Sequence, residues 1–292
     1  MDVEVLSANL GAEVSDIDLR DTAKVSEVLP PLLARHGVLV IRNQALSRDE
    51  LWDLAAAFGD TTPHPNTETF KLASKKRMQD VDHDRERPPE DTGFHSDYTF
   101  NNVVAEVGIL QAKILPSFGG DTVWTDMRAA FEALSTAMQD FCSSLTVRHG
   151  FTDHQIQVMR DLFGDDYIDK QPEYFKGATH PLVVEHPVTK NPVLYASPGY
   201  SRSIVELSPQ ESDALLKLIF SHINQPRFHF RLHWSLEDVG IWDEIGTAHQ
   251  GPVDYWPERR KLVRATAGLL CPAPAKARPR NIATTKTTAL AR

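Results

Sequence analysis

Hydrophobic and polar positions alternate with a period of two along several short segments of the chain. Phe228, Phe230 and Leu232 alternate with positively charged or polar residues, as expected for a strand with one buried face. Other segments are short runs of β-branched and aliphatic residues, which are typical of fully buried strands. The predicted strands are 37–42, 103–112, 182–185, 193–195, 227–233, 239–242 and 261–267.

Two helices are predicted from their start and stop signals. Ser47 and Glu50 form a capping box that opens a helix through residue 58. Ser208 and Glu211 form a second one, and Pro226 ends the helix that follows. Many short strands with a few helices predict a mainly β fold with flanking helices, as a sandwich or barrel.

The charge balance changes the expected set of partners. The chain has 292 residues, with 31 Lys and Arg against 40 Asp and Glu, and a formal net charge of −9. This balance argues against nucleic acid or an anionic membrane as the main partner. Two cysteines rule out a disulfide framework and a thiolate zinc cluster. With neither a signal peptide nor an apolar membrane-spanning run, a cytoplasmic protein is expected.

The last 22 residues differ from the rest of the chain. Residues 271–292 contain five basic residues, no acid and no apolar periodicity. We therefore predict one domain at 1–270 and a basic, mobile tail at 271–292. The charged run 80–87 is expected to be a solvated loop.

Candidate chemistry begins at His95 and Asp97. In an extended segment, residues i and i+2 point to the same side, so an imidazole and a carboxylate can reach one metal ion. These are two of the three ligands of a 2-His-1-carboxylate iron site. His249, after a predicted strand, is a candidate third ligand, and Arg260 and Arg264 follow it. A guanidinium binds a carboxylate or sulfonate through paired hydrogen bonds, so these arginines indicate an anionic cosubstrate.

Several short motifs occur in an order that resembles the TauD/TfdA group of Fe(II)/2-oxoglutarate-dependent dioxygenases. The resemblance runs from about Leu6 to Gly268. Its motifs are 10–13 with 18–19, 58–60 with 64–65, 94–100, 119–124, 180–183 with 186–189, 241–243, His249, 254–255, 259–260 and 264–266.

The resemblance implies a double-stranded β-helix, or jelly roll, and an enzyme that hydroxylates a small anionic substrate. It implies Fe(II) as the metal, with 2-oxoglutarate and O2 as cosubstrates and succinate and CO2 as products. A homo-oligomer, dimer or tetramer, is expected, and 152–176 is expected to cover the active site. The residue roles implied are iron ligation by His95, Asp97 and His249, binding of 2-oxoglutarate by Thr122 and Arg260, and binding of the substrate anion by His64 and Arg264.

Three positions depart from the pattern of taurine dioxygenase. Glu244 follows Trp-Asp where Asn is usual, Asp91 replaces an amine-binding Asn, and Thr67 replaces a Tyr. The sulfonate side is therefore retained while the amine side is not, which argues against taurine as the substrate. Asp91 is kept as a substrate-binding candidate because its carboxylate can pair with an ammonium.

Three alternatives remain at this point. One is a tailoring oxygenase that acts on a carboxylate or amino-acid-like metabolite. Another is a metal-binding jelly-roll protein without turnover, which would have no need of a dicarboxylate-binding pair. The third is a zinc hydrolase, which would work without 2-oxoglutarate.

Overall fold

The computed structural model describes residues 1–61 and 78–276, and over these ranges the chain is mainly β with flanking helices, as predicted. The strands are β1 (Asp2–Val5), β2 (Ala12–Ser15), β3 (Val38–Ile41), β4 (Gln79–His83), β5 (Val107–Ile114), β6 (Thr122–Asp126), β7 (Thr146–His149), β8 (Ala178–Pro181), β9 (Val183–Glu185), β10 (Pro192–Leu194), β11 (Ser201–Ile204), β12 (His229–Leu232), β13 (Val239–Asp243), β14 (Thr247–Gln250) and β15 (Arg260–Ala267).

The described residues also form eight α-helices. They are α1 (Thr22–His36), α2 (Arg48–Ala56), α3 (Met127–Glu132), α4 (Thr136–Cys142), α5 (Asp153–Phe163), α6 (Asp165–Asp169), α7 (Pro172–Phe175) and α8 (Pro209–Ile223), with a short 3-10 helix at Pro226–Phe228. No helix within the two described ranges is long and apolar enough to cross a bilayer.

Two main sheets pack against each other. The larger sheet has the order β1-β2-β3-β13-β5-β15-β4, and the smaller has the order β12-β6-β14. Their facing side chains form one apolar core, in which the buried rings of Trp124 and Trp242 lie 5.9 Å apart between centroids. A further three-stranded sheet, β11-β7-β8, and the hairpin β9-β10 extend the smaller side.

Strand β3 shows how the sequence pattern builds two cores from one sheet. All four of its residues are buried. Val38 and Val40 join the core between the sheets, while Leu39 and Ile41 join the core under α1 and α2. A strand that is covered on both faces consists of a continuous run of apolar residues, and the sequence of β3 is such a run.

Strand β15 places two arginines on the inner side of the larger sheet. Leu262 contacts the core between the sheets, whereas Val263 and Ala265 face the helices. Because successive side chains alternate across a strand, Arg260 and Arg264 share the inner side with Leu262.

All seven predicted strands are present, with their ends moved by a few residues. The strand predicted at 227–233 begins at His229, because residues 226–228 form the 3-10 helix. The capping box at Ser47 is confirmed, although its helix ends at Ala56 and not at residue 58. The capping box at Ser208 is also confirmed, and α8 ends before Pro226.

Several elements were not predicted from the sequence, and two of them show why. Helix α1 contains Pro30 and Pro31, which normally break a helix and so concealed it in the sequence. The charged run predicted as a solvated loop is wrong in its first part, because β4 pairs with β15. Its carboxylates form ion pairs with arginine and lysine side chains of α2 and the β15 region, which makes a charged edge strand stable there.

The chain beyond Leu270 stays in contact with the body as far as it is described. The backbone amide of Glu185 donates to the carbonyl of Ala273 at 2.9 Å, and the amide of Ala275 donates to the carbonyl of Val183 at 3.1 Å. Residues 277–292 of the predicted tail lie outside the described ranges.

Candidate active site

A short backbone bridge brings His95 and His249 together. The amide of His95 donates to the carbonyl of His249 at 2.9 Å, and the amide of His249 donates back at 2.7 Å. Directly opposed residues of an antiparallel pair present their side chains to the same face, and the two rings lie 4.4 Å apart between centroids. Asp97 completes the group, since ligand atoms of the three residues lie within 4.8 Å of one another. The structure thus brings the predicted ligands together.

The protonation states of the three side chains suit a divalent metal. Burial lowers the pKa of His95, and it lowers the pKa of His249 to about 3. Burial alone would raise the pKa of the Asp97 carboxyl, but the charge of Arg264 holds it well below its usual range. At neutral pH the donors are therefore one carboxylate and two neutral imidazoles, and they need not lose protons before binding a cation.

Local hydrogen bonds orient the first histidine. His95 Nδ1 lies 3.0 Å from the carbonyl oxygen of Gly93, so the proton on this nitrogen is donated there. Such a bond leaves the lone pair of Nε2 available. The Nδ1 atom of His249 is buried and has no partner among the described residues. Two imidazoles and a carboxylate in this state fit the iron(II) facial triad.

The turn before His249 is held by Asp243. Its Oδ1 accepts hydrogen bonds from the amides of Ile245 and Gly246, both at 3.0 Å. Its Oδ2 lies 2.7 Å from Nε2 of His186. His186 in turn accepts backbone amides at Nδ1, which places its proton on Nε2. The Trp-Asp and His-Pro motifs seen in the sequence therefore build the turn that leads into β14.

Arg264 lies directly beside the metal ligands. Its Nη1 donates to both carboxylate oxygens of Asp97, at 2.8 and 2.7 Å. Its buried Nε has no partner among the described residues. A carboxylate has about four lone-pair positions, so Asp97 can bind a metal through one oxygen and keep Arg264 on the other. The guanidinium therefore keeps an unused donor, Nε, beside Asp97.

Arg260 contacts Thr122 at the N-terminal end of β15, on the same face of that strand as Arg264. The Nε of Arg260 donates to the carbonyl of Gly120 at 2.7 Å, and its Nη2 donates to Oγ1 of Thr122 at 3.3 Å. Gly120 has φ +71°, and a Cβ there would lie 3.1 Å from Arg260 Cδ. A glycine is therefore needed where the guanidinium crosses the backbone.

The Thr122 hydroxyl is prepared to donate a hydrogen bond. Its oxygen accepts the indole N–H of Trp234 at 3.0 Å as well as Arg260 Nη2. A hydroxyl has two acceptor positions and one proton, so both acceptor positions are filled and the proton is left for an anion. Trp234 was missed in the sequence, because its contact with Thr122 arises from the pairing of β12 with β6.

The charge of Arg260 is buried without a carboxylate partner. Only 5% of this residue is exposed, and burial lowers the pKa of its guanidinium. Within residues 1–61 and 78–276 it forms no ion pair, in contrast to its neighbour Arg259, which pairs with Asp82 at 2.9 Å. A buried cation is costly unless it is paired; Tyr255, Asp121 and Asp254 offset part of this cost, and an anionic ligand at this position would offset more.

Glu244 holds the backbone of the metal-binding segment. The amide of Asp97 donates to Oε2 of Glu244 at 2.9 Å. Glu244 is almost fully buried, and burial together with the charge of Asp97 raises the pKa of its carboxyl well above the usual value. The departure noted in the sequence therefore lies next to a predicted ligand.

Removing the Glu244 side chain is expected to weaken metal binding. In Glu244→Ala the buried amide of Asp97 loses its acceptor, which costs about 1–3 kcal/mol and loosens the ligand. Loss of such an outer partner typically lowers metal affinity by about 10- to 100-fold. Titration of the metal-free protein with Co(II) measures this. Glu244→Gln keeps an acceptor oxygen and should stay within about threefold of the wild type. Equal affinity in all three proteins would show that Glu244 does not position Asp97.

Two further residues, Asp91 and His64, were predicted to bind the substrate. Asp91 is exposed, and its Oδ1 accepts the amide of Gly93 at 3.0 Å, so it forms the turn that precedes His95. His64 and Thr67 lie outside the described residues.

The segment 152–176, which was expected to cover the active site, forms α5, α6 and α7. The ring of Tyr174 in α7 lies 4.9 Å from the ring of Phe100, between centroids.

The sequence matches one described protein family over residues 2–266, the taurine catabolism dioxygenase TauD, TfdA family. A putative alpha-ketoglutarate-dependent sulfonate dioxygenase of Schizosaccharomyces pombe is 30% identical over 91% of this chain and 68% of its own length. The alpha-ketoglutarate-dependent 2,4-dichlorophenoxyacetate dioxygenase of Cupriavidus pinatubonensis is 30% identical over 87% of this chain and 93% of its own.

A solved structure is similar over almost the full chain. The crystal structure of a taurine dioxygenase from Burkholderia xenovorans superposes with a TM-score of 0.78 and 30% identity. The alignment covers 95% of this chain and 92% of the other. Sequence and fold therefore point in the same direction as the geometry of the site.

Proposed function

Since the chain belongs to the taurine catabolism dioxygenase TauD, TfdA family, we propose that it is an iron(II)- and 2-oxoglutarate-dependent dioxygenase that oxidises a small anionic substrate. The overall reaction consumes the substrate, O2 and 2-oxoglutarate, and it yields the hydroxylated substrate, succinate and CO2. Buried Arg260 beside Thr122, without a carboxylate partner, carries this proposal. A protein that only stores a metal, or a zinc hydrolase, has no need of such a pair.

A different part of the protein positions each of the three metal ligands. We assign iron(II) to His95, Asp97 and His249, whose donor atoms converge. Bound iron(II) supplies O2 activation coupled to the oxidative decarboxylation of 2-oxoglutarate. The Gly93 carbonyl orients His95, Glu244 holds the backbone of Asp97, and the Asp243 turn leads into His249. Two sheets that face each other support the double-stranded β-helix as their topology.

The two arginines divide the anionic groups between them. Arg260 and Thr122 together offer a guanidinium and a hydroxyl proton, which match the distal carboxylate of 2-oxoglutarate. Arg264 lies at Asp97, so an anion bound to it lies beside the metal. Holding the substrate there aligns a C–H bond with the reacting centre and is a positioning effect. The names of the relatives, a sulfonate and a phenoxyacetate dioxygenase, support an anionic substrate.

Arg264→Ala is expected to raise the substrate KM far more than the KM for 2-oxoglutarate. An anion loses its charged partner, at a cost of about 2–5 kcal/mol for a buried pair. Initial rates of succinate formation with each component varied in turn measure this. Because Arg264 also bonds to Asp97, Co(II) affinity is measured in parallel. Equal rises in both KM values at unchanged metal affinity would remove Arg264 from the substrate site.

The function is tested with a panel of anions under defined loading. Metal-free protein is loaded anaerobically with Fe(II) and 2-oxoglutarate, and the charge-transfer band in the visible spectrum is recorded as each anion is added. The panel contains alkyl sulfonates, sulfate esters, aryloxy acids, amino acids and taurine. Succinate is then measured after O2 is admitted. We expect turnover with one or more anions and poor turnover with taurine. Activity of the zinc form without 2-oxoglutarate would refute the proposal.

A further inference from the structure

The loop between β10 and β11, residues 195–200, packs against the metal ligand His95. A Cβ at Gly199 in this loop would lie 2.6 Å from the Cβ of His95, so the close approach of the two backbones requires a glycine. The amide of Gly199 donates to the carbonyl of Phe94 at 3.0 Å, and the ring of Tyr200 meets His95 edge-on at 5.8 Å between centroids. We call residues 195–200 the His95 loop, because a shift of this loop would displace the first metal ligand.

Arg202, in β11, holds the His95 loop through backbone oxygens. Its Nη1 donates to the carbonyls of Pro198 and Ser201, at 3.1 and 3.0 Å. Its Nη2 donates to the carbonyl of Gly199. The side chain is half-buried, and burial lowers the pKa of its guanidinium. Among the described residues its hydrogen bonds go to carbonyl and amide oxygens, so this arginine fixes the backbone and does not serve as half of an ion pair.

A further bond of Arg202 goes to α5, the first helix of the segment 152–176. Its Nη2 donates to Oε1 of Gln155 at 3.0 Å. Gln155 is the third residue of α5 and the partner of Thr152 in a capping box. The same Oε1 accepts the amide of Thr152 at 2.8 Å. The oxygen that caps the start of α5 is therefore also the acceptor that connects α5 to Arg202.

Backbone and ring contacts join the same two parts of the chain. The amide of Gly150 donates to the carbonyl of Tyr200 at 2.9 Å, and the ring of Phe151 lies 5.8 Å from the ring of Tyr200 between centroids. Residues 150–155 therefore contact the His95 loop or Arg202 at three points. Energetic coupling between two sites requires such a continuous set of contacts, and here it extends from α5 to a metal ligand.

On the basis of the function proposed above, we propose that Arg202 is a positioning residue that couples the placement of His95 to the start of α5. One planar guanidinium, with five donors in a fixed arrangement, bonds both to the His95 loop and to Gln155. A displaced α5 loses its bond to Arg202 and leaves the loop less constrained. A metal that fixes His95 therefore stabilises the start of α5, and an ordered α5 favours metal binding to the same extent, because coupling between two equilibria is reciprocal.

Hydrogen exchange of the full chain, with Co(II) as the probe, tests this coupling. In the wild type, saturating Co(II) should slow exchange of the amides in the first turn of α5, such as that of Ile156, by at least about fivefold. In Arg202→Met the Co(II) affinity should fall by about tenfold or more, and the protection of α5 by Co(II) should disappear. Co(II) binding without protection of α5 in the wild type would overturn the proposal, and so would full protection in Arg202→Met.

Variants of α5 separate this role from a general loss of structure. Gln155→Leu removes the acceptor on α5 but leaves the loop contacts of Arg202 in place, and it should reduce the protection by Co(II) to less than about twofold. Gln155→Glu keeps an acceptor oxygen and should restore it. Thr152→Ala weakens the same helix cap without removing the bond to Arg202, so it should speed exchange yet keep the Co(II) effect. Gln157→Leu is the matched control, because the described bond of Gln157 stays within the helix, at Asp161.

The outcomes distinguish this proposal from the proposed function. Co(II) binding and succinate formation by the wild type, with no effect of Co(II) on α5, would refute the coupling and leave the dioxygenase function intact. Absence of Co(II) binding in the wild type would refute the assignment of the metal ligands, and the coupling with it. If Arg202→Met does not fold, Gln155→Leu decides the question, since unchanged protection of α5 in that variant would also overturn the proposal.

Discussion

Replacing Asp97 with alanine is expected to abolish substrate-dependent succinate formation. Asp97 is the only carboxylate of the three-ligand group, and its loss leaves two neutral imidazoles that bind iron(II) weakly and in the wrong geometry. Co(II) affinity should fall by more than about 100-fold, since even an outer partner is worth about 10- to 100-fold. Metal titration and succinate measurement on the same preparation check both effects.

The structure also predicts a loss of stability in this variant. Arg264 donates two hydrogen bonds to Asp97, and breaking a buried pair from one side costs about 3–5 kcal/mol. The thermal unfolding temperature of the metal-free variant is therefore measured alongside its activity. Glu90→Ala, which removes an exposed carboxylate near the same segment, is the control and should leave binding and turnover unchanged. Full hydroxylation by Asp97→Ala would end the assignment of the iron ligands.

Arg260→Ala is expected to raise the KM for 2-oxoglutarate by at least tenfold, with little change in Fe(II) affinity. The variant removes the charged partner of a buried carboxylate, at a cost of about 2–5 kcal/mol. Arg260 contacts Thr122 and Gly120 but none of the iron ligands, so the effect should be confined to the cosubstrate. Succinate formation at varied 2-oxoglutarate and fixed substrate measures it.

The neighbouring arginine provides a matched control. Arg259 is exposed and paired with Asp82, so Arg259→Ala should leave the KM for 2-oxoglutarate unchanged. Arg260→Lys should recover only part of the loss, since an ammonium lacks the planar pair of donors that a guanidinium presents to a carboxylate. A rise in the Arg259 variant, without one in the Arg260 variant, would move the carboxylate site to Arg259.

Local features of the fold followed from local sequence. The capping boxes at Ser47 and Ser208 were readable because their partners are three residues away. Alternation with a period of two located β12, and a continuous apolar run located β3, because strand burial depends on which face a residue takes. Helix α1 was missed because its two prolines contradict the local signal while tertiary packing of Val25, Leu29 and Leu33 supports the helix.

For the site, the sequence by itself determined which chemical groups are present: two imidazoles, a carboxylate and two arginines, one of them within a predicted strand and the other next to it. The spacing of His95 and Asp97 already indicated two ligands of one metal. The order of the motifs indicated the family. These inferences depend on residue type, on short spacing and on the order of motifs along the chain, none of which changes with the folded arrangement of the chain.

Only the tertiary structure decided how these groups meet. Arg264 bonds to Asp97 across 167 positions of the chain, His95 faces His249 through a backbone bridge, and Trp234 fills one acceptor position of Thr122. Such contacts depend on strand register and on the packing of one sheet against another, and a shift of one residue in register would turn each side chain to the opposite face.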